Sequence, residues 1–425
     1  MLTEKLGSSY RWWLSKHNGV HALVRRTHEE RVLALLRERG ALRRAEIANQ
    51  VGLSRTTLSE IANSLLERRA IVVVDTDAVS REGSGRPAER LALDPASGQF
   101  LGLDFGHRRV HVAVADASHE IIASGLVRYS ADTSWTDRMD SAFALIDGLM
   151  EQTGVHFGAL QGIGIGVVGP FSSLPKGRVA EAKNARWEVS ELVEAAFAKR
   201  FDAPVIVDNN SRFAALAEAI SGNADNINDL IYVRLSDGIG GGLVVGGRLI
   251  TGSAGFAGEV GHIVVRPDGG IDCRCGKRGC LETVASVPAI LRECGSRGVP
   301  LDNLEELQAA VTRADPIVNG VLMDAGSDLG RVLGALAVAL NPSDIVIGGH
   351  IATIAPAIVQ QVTTTLTYEL FSFQAATPDI RVTRLSDDDG ALGALAALFH
   401  QSPLLASYPA PAAPASAPHL QRSIS

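Results

Sequence analysis

Between residues 255 and 282 the chain reads GFAGEVGHIVVRPDGGIDCRCGKRGCLE. This stretch holds one imidazole, His262, and three thiols, Cys273, Cys275 and Cys280, which fall inside eight residues. One imidazole and three thiolates fill the four-coordinate shell of a structural Zn²⁺, and a closed shell keeps no position for a reactive water. The metal is therefore expected to build the loop rather than to do chemistry. Cys294 is the one other cysteine of the chain, so no disulfide framework is expected.

On either side of this loop, short apolar strands alternate with helices. FLGLDFG, HVAVAD, IIASGLV, GIGIGVVG and PVIVDNN read as strands from Gln99 onward, with helices over 137–151 and 188–200. A second set follows in LIYVRLS, GGLVVGGRLI and HIVV, helices through about 284–340, DIVIGGH, and a terminal helix over 389–399. Interleaving of this kind predicts an α/β body over residues 98–400, and two such sets predict two lobes facing one cleft. The Pro/Ala/Ser-rich segment 401–425 lacks the apolar residues to fold and is expected to be disordered.

Ahead of the body the texture is helical. Residues 29–39 place Val32, Leu33, Leu35 and Leu36 at near-helical spacing, and Gly40 ends the run. Residues 43–50 read as a second short helix, Val51-Gly52-Leu53 as a turn, and Ser54 as the N-cap of a third helix reaching about Arg68. Ala48, Gly52, Leu58 and Ile61 supply the small contact, the turn glycine and the inner apolar face of a helix-turn-helix. IVVV (71–74) and ERLAL (89–93), joined by REGSGRP, read as the two strands of a wing. A winged helix-turn-helix is thus expected over 29–95, behind an N-terminal extension of residues 1–28.

In such a module the start of the third helix enters a major groove. Ser54, Arg55, Thr56, Thr57 and Ser59 stand there, with Arg55 suited to guanine edges and the hydroxyls to phosphates or bases. Arg86, between Gly85 and Pro87, either enters a narrow A·T-rich minor groove or belongs to a plain turn between strands. The alternative for the whole head is a helical module that docks protein.

Charge supports the nucleic-acid reading. Residues 1–93 carry 16 Lys+Arg against 11 Asp+Glu, leaving −12 for the rest of a chain whose net charge is −7. Only the head is suited to a polyanion. The 425 residues, 46% hydrophobic and 20% charged, exclude a disordered or fibrous chain. No apolar run approaches the roughly 18 residues of a membrane span, and the first residues, MLTEKLGSSYRWWLSKH, lack a signal's apolar stretch. No membrane partner and a cytoplasmic location are expected.

The motif GEVGH followed by CRCGKRGCLE resembles the signature of the ROK family, which comprises repressors and sugar kinases with an actin/hexokinase-like, ribonuclease H-like body. The resemblance spans roughly residues 29–400. LGLDFG (101–106), GIGIGVVGP (162–170), NARW (184–187), PVIVDNNSRFAALAE (204–218), DGIGGGLVVGG (237–247) and NPSDIVIGGH (341–350) support it. A winged head ahead of that body is the arrangement of the family's repressors. The resemblance implies that Glu259 and His262 grip sugar hydroxyls, His262 also serving the zinc, that Glu282 closes the sugar's other side, and that Asn209 is a sugar-binding amide.

Two departures from the family pattern bear on catalysis. Asn210 stands where the resemblance implies the catalytic Asp, and an amide cannot act as general base. The first phosphate loop reads Asp104-Phe105-Gly106-His107-Arg108, so bulkier side chains replace the glycine and threonine that let phosphate approach the backbone. ATP is not expected to bind, and no catalytic residue is assigned. Asn209, Asn210, Glu259, His262 and Glu282 are the expected sugar-binding residues. The reading is a sugar-responsive transcriptional regulator, a repressor of operator DNA with an inactive kinase-like body. Two-fold operators imply a homodimer or tetramer. The alternatives are a working ATP-dependent sugar kinase with an added DNA-binding domain, and a protein-docking scaffold.

Overall fold

The computed structural model describes residues 20–76, 89–116, 119–157, 160–169, 187–221, 227–370, 377–385 and 389–401. The expected wing tip with Arg86, the start of the N-terminal extension and the segment 402–425 lie outside the described residues.

Helix α1 (Val20–Arg39) starts nine residues before the periodicity of 29–39 begins and stops at Gly40, whose φ of 70° lies in the left-handed region. After strand β1 (Leu42–Arg43) come α2 (Arg44–Val51) and α3 (Arg55–Glu67), separated by Gly52 at φ 73°. The Ser54 side chain caps α3 by accepting from the Thr57 N–H. Val32, Leu33 and Leu36 of α1, Ile47, Ala48 and Val51 of α2, and Leu58, Ile61, Ala62 and Leu65 of α3 bury one apolar core. Strands β2 (Ile71–Thr76) and β3 (Glu89–Leu93) pair antiparallel, as a wing requires. β1 adds a third strand that the sequence reading did not include, giving the order β1-β3-β2.

The body repeats one topology twice. The first sheet holds β4 (Phe100–Phe105), β5 (Arg109–Ala115), β6 (Ile121–Arg128), β7 (Gly162–Val167) and β8 (Val205–Asn209) in the order β6-β5-β4-β7-β8. The second holds β9 (Leu230–Leu235), β10 (Ile239–Val245), β11 (Arg248–Leu249), β12 (Asp344–Gly348) and β13 (Asp379–Val382) in the equivalent order β11-β10-β9-β12-β13. In each sheet the first three strands form an antiparallel meander and the last two run parallel to the first. The parallel steps require crossovers, and helices α4 (Trp135–Thr153) and α5 (Trp187–Phe201) supply them in the first lobe. Helix α6 (Asn210–Ser221) then leads into the second sheet.

The second lobe carries α7 (Glu282–Ala285), α8 (Val287–Ser296), α9 (Leu304–Thr312), α10 (Pro316–Leu340), α11 (His350–Ile354) and α12 (Pro356–Glu369). The expected strand HIVV is not a strand. Val260–His262 form a single 3₁₀ turn, and the segment touches strand geometry only where Val264 bridges Cys280. The bridge to Cys280 explains the difference: the segment pairs with its own metal-ligand loop rather than with the sheet.

The last helix, α13 (Asp389–Gln401), packs on α6, β4 and β7 and so holds both lobes together. Its backbone lies directly on the sheet, because a Cβ at Gly102 or Gly164 would come within 2.4 Å of the Ala391 or Ala394 carbonyl oxygen. On its other side, a Cβ at Gly393 would stand 1.7 Å from the Phe213 carbonyl oxygen of α6. Gly393→Ala is expected to force these helices apart and to destabilise the body by about 1–3 kcal/mol or more. Thermal unfolding of the variant checks this; an unchanged melting temperature would remove the close approach.

Candidate ligand cleft and metal-ligand loop

A cleft of about 920 Å³ opens between the lobes. Its walls carry Gly106–Arg109 from the β4–β5 hairpin, Arg128 from the end of β6, Asn209 from the end of β8, Asn210 and Ser211 from the start of α6, and Arg234 and Ser236–Gly240 from β9 and the β9–β10 turn. Glu259, His262 and Arg274 enter from the loop that follows β11. Val287, Pro288, Leu291, Leu301, Leu304 and Ile354 make an apolar wall at one end.

Asp104 lies at the foot of this cleft, fully buried near the end of β4. Its Oδ1 accepts from the Asn210 amide at 2.8 Å, and its Oδ2 accepts from Arg234 at 3.3 Å, with Arg109 at 4.0 Å. The Asn210 side chain therefore meets the carboxylate as a hydrogen-bond donor, which an ionised aspartate at that position could not do. Burial opposes the charge of Arg234, but Tyr232 and Asp104 outweigh burial and hold its pKa above the ordinary guanidinium value. The hairpin beside Asp104 is braced by Tyr129, whose hydroxyl donates to the Gly106 and Arg109 carbonyls, and by Arg138 against the Gly106 carbonyl.

Asn209 lines the cleft, yet its amide is already engaged. The Oδ1 accepts from the Ser211 and Arg212 N–H groups, capping α6, and the Nδ2 donates to the Gly169 carbonyl at 2.7 Å. Arg212, almost completely buried, had no role in the sequence reading. It pairs with Asp208 four residues back and donates to the Gly255 carbonyl at 2.5 Å, which anchors the loop that carries Glu259. Burial pushes the Asp208 carboxyl above the usual carboxylate range, against the opposing pull of Arg212.

His262, Cys273, Cys275 and Cys280 converge, with their ligand atoms all within 4.8 Å of one another. The Cys275 and Cys280 sulfurs stand 3.6 Å apart, and Cys273 Sγ lies 3.5 Å from His262 Nδ1. A tetrahedron with metal–sulfur bonds of about 2.3 Å has edges of about 3.8 Å, so the donor set fits one metal ion. Without a cation, burial and the neighbouring thiols push the Cys280 thiol up to about 12. The other nitrogen of the ring, His262 Nε2, faces Glu259 at 3.9 Å. One imidazole thus joins the metal cluster to the cleft.

Glu282 is placed differently from its expected partners. Its Oε2 accepts from the Ile239 N–H at 3.1 Å and from Arg274 at 2.7 Å. Arg274, between the first two cysteines of the cluster, lines the cleft, and Glu282 stands among the buried residues. In the head, Arg55, Thr56 and Ser59 are exposed on the outer face of α3, whereas Ser54 and Thr57 bond each other at 2.8 Å in the cap.

Two sheets of one topology around a polar cleft, with a metal-ligand loop at its rim and a helix-turn-helix ahead, define a hexokinase-like body that carries a winged head. A sequence model of the ROK family matches residues 100–402, and the chain belongs to that family. It is 27% identical over 395 residues to a putative xylose repressor of Caldicellulosiruptor sp. (strain Rt8B.4), covering 89% of this chain and 96% of the relative. A glucokinase of Halalkalibacterium halodurans (strain ATCC BAA-125 / DSM 18197 / FERM 7344 / JCM 9153 / C-125) is 30% identical over 316 residues, 69% of this chain and 93% of its own. The crystal structure of a ROK family transcriptional regulator, described as a homolog of the E. coli MLC protein, matches with a TM-score of 0.63 at 23% identity. That match covers 90% of this chain and 98% of the other.

The metal cluster leads to a direct measurement. Elemental analysis of freshly purified protein is expected to find one metal per chain. Cys275→Ser is expected to lower that content and to raise protease sensitivity between Gly255 and Glu282, because the four ligand atoms draw separate parts of the loop to one point. Metal-free protein with an intact, protected loop would overturn this account.

Proposed function

We propose that this chain is a sugar-responsive transcriptional repressor: the winged head binds operator DNA and the kinase-like body senses a carbohydrate without phosphorylating it. The observation that carries the reading is Asn210 donating to the buried Asp104. The group at the position of the base has no proton-accepting carboxylate, and the carboxylate of the first phosphate loop is committed to Asn210 and Arg234. The coverage of the relatives supports the same reading, since the repressor match takes in 89% of this chain and the glucokinase match 69%.

In this reading Glu259 and His262 meet sugar hydroxyls, Asn209 offers them the one amide N–H that its cap and the Gly169 carbonyl leave over, Asn210 stands beside them and Glu282 acts through Arg274. His262, Cys273, Cys275 and Cys280 hold a structural Zn²⁺, which keeps Glu259 and His262 in register. Arg55, Thr56 and Ser59 face the major groove, Ser54 and Thr57 order the start of α3, and Arg86 reaches the minor groove. The boundaries follow as 29–95 for the head and 98–400 for the body.

The head has a mechanical link to the first lobe. Ala34 of α1 packs on the cluster of Phe100, Ala113 and Leu395. Asp94 meets His156 at 3.2 Å, and the Gly98 N–H donates to the His156 carbonyl at 2.7 Å. Lobe closure around a sugar then moves the heads of a homodimer out of the spacing that two half-sites require. Among the described residues no helix is long and apolar enough to cross a membrane.

Arg55→Ala is expected to weaken specific DNA binding by about 1–3 kcal/mol and to relax one operator position, read by footprinting on the chain's own promoter region. An unchanged footprint would remove α3 from recognition. For the body, Asn210→Asp alone is not expected to create a kinase, because Arg234 and the altered phosphate loop remain. Wild-type protein turning over ATP and a sugar at roughly 1–100 s⁻¹, the range of kinases, would overturn the reading.

A further inference from the structure

Asp328, in the middle of α10, is a buried carboxylate that takes no part in lining the cleft. Its helix neighbours Ala325, Leu329 and Val332 all belong to the apolar core of the second lobe. A charge so placed lowers stability unless it is paired and hydrogen-bonded. Both of its oxygens are taken. Oδ2 accepts from Arg266 Nε at 3.1 Å and from Arg266 Nη2 at 2.6 Å, and Oδ1 accepts from Arg331 Nη1 at 2.9 Å. Arg331 stands three residues along the same helix, whereas Arg266 lies in the metal-ligand loop, 62 positions away.

Arg266 is where three parts of that loop meet. Its N–H donates to the Gly279 carbonyl at 3.0 Å, an oxygen that also accepts from the Val265 N–H at 2.9 Å. A Cβ at Gly279 would stand 1.8 Å from the Arg266 carbonyl oxygen, and one at Gly270 would stand 2.4 Å from it. Gly279 precedes the ligand Cys280, which is itself bridged to Val264. Arg266 therefore lies against the backbone that presents Cys280, on the segment that begins with the ligand His262. The helix at the other end of the ion pair is also fixed in place. On α10 a Cβ at Gly326 would come within 2.8 Å of the Ile358 carbonyl oxygen, and one at Gly330 within 2.7 Å of Thr365 Cβ, so α10 and α12 are in close contact. One guanidinium–carboxylate contact thus joins a firmly packed helix to the turn that carries a metal ligand.

We propose that Asp328 is a positioning residue of the metal site. It holds Arg266, and through it the Gly279–Cys280 turn, in the register that lets Cys280 meet His262, Cys273 and Cys275 around one ion. The assignment rests on the reading of those four residues as a metal site, and it adds a residue outside the loop on which that site depends. An outer partner of this kind supplies no bond to the ion. It narrows the positions open to a ligand atom, so its removal lets metal leave faster while the ligand set stays intact.

The test is transfer of Zn²⁺ from the full-length, zinc-loaded protein to an excess of a chromogenic chelator, with the melting temperature measured on the same samples. Arg266→Gln and Asp328→Asn are each expected to raise the rate of zinc loss by about tenfold or more, the scale of removing an outer-shell partner. The double variant is expected to lose zinc no faster than the quicker single variant, because both substitutions remove the same contact. Arg266→Lys, which keeps the charge without the planar fork, is expected to restore part of the retention. Arg331→Gln removes the other partner of the same carboxylate and is expected to leave zinc loss at the wild-type rate. Should Asp328→Asn fail to fold, Arg266→Gln, at a side chain that is 49% exposed, decides the matter against Arg331→Gln. Zinc loss at the wild-type rate from Arg266→Gln, an equal acceleration from Arg331→Gln, or single effects that multiply in the double variant overturn the assignment and leave the metal site standing. Wild-type protein that takes up no zinc removes the site and the assignment together.

Discussion

A carboxylate buried as completely as Asp104 must be compensated, because an isolated charge in a low-dielectric interior costs several kcal/mol even after relaxation. Its compensation comes from three separate parts of the chain: Asn210 at the start of α6, Arg234 on β9 and Arg109 on β5. Those partners belong to both lobes, so satisfying one charge draws the cleft walls together. The arrangement of the cleft follows from this. Asn210 must point its amide inward, the Gly106–Arg109 hairpin must lie alongside, and the β9–β10 turn is brought opposite.

The second constraint is the metal-ligand loop, which works by a different kind of physics. The backbone from Gly255 to Glu282 has little regular structure, with one 3₁₀ turn and isolated bridges at Val264–Cys280 and Asp272–Arg278. Four convergent ligand atoms add to the loop's scattered backbone hydrogen bonds, such as those from the Val265 and Arg266 N–H groups to the Gly279 carbonyl. The loop is also pinned at its base by Arg212, so Glu259 is held from one side by a buried ion pair and from the other by the imidazole of a metal ligand. Together they fix where the Glu259 side chain stands on the cleft wall.

Much of the fold was legible in the sequence because the relevant signals are local. Gly52 and Ser54 mark a helix end and a helix start through φ preference and capping, and the helices formed within a residue or two of the expected limits. The body strands were readable as apolar runs that the sheets bury on both faces, as with β4, β7 and β9. HIVV was misread for the same reason. Its apolar residues mimic a strand, but Ile263 and Val264 are exposed and the segment pairs with Cys280. Periodicity could not distinguish a strand from a loop braced by thiols.

The sequence by itself determined the metal-ligand set, since His262 and three closely spaced cysteines need only a short loop to meet. It also determined the α/β class and the amide at position 210, because each depends on residue type at one position or on local pattern. Tertiary structure alone decided what those residues touch. Asp104 and Arg234 are 130 positions apart and Asp104 and Asn210 are 106 apart, and no spacing rule links them. The same holds for Glu282, whose neighbour in space, Arg274, stands between the thiols and puts a cation on the cleft wall. Side-chain charge is written in the sequence, but the field that a ligand meets depends on which charges cancel, and cancellation is a property of distance in three dimensions.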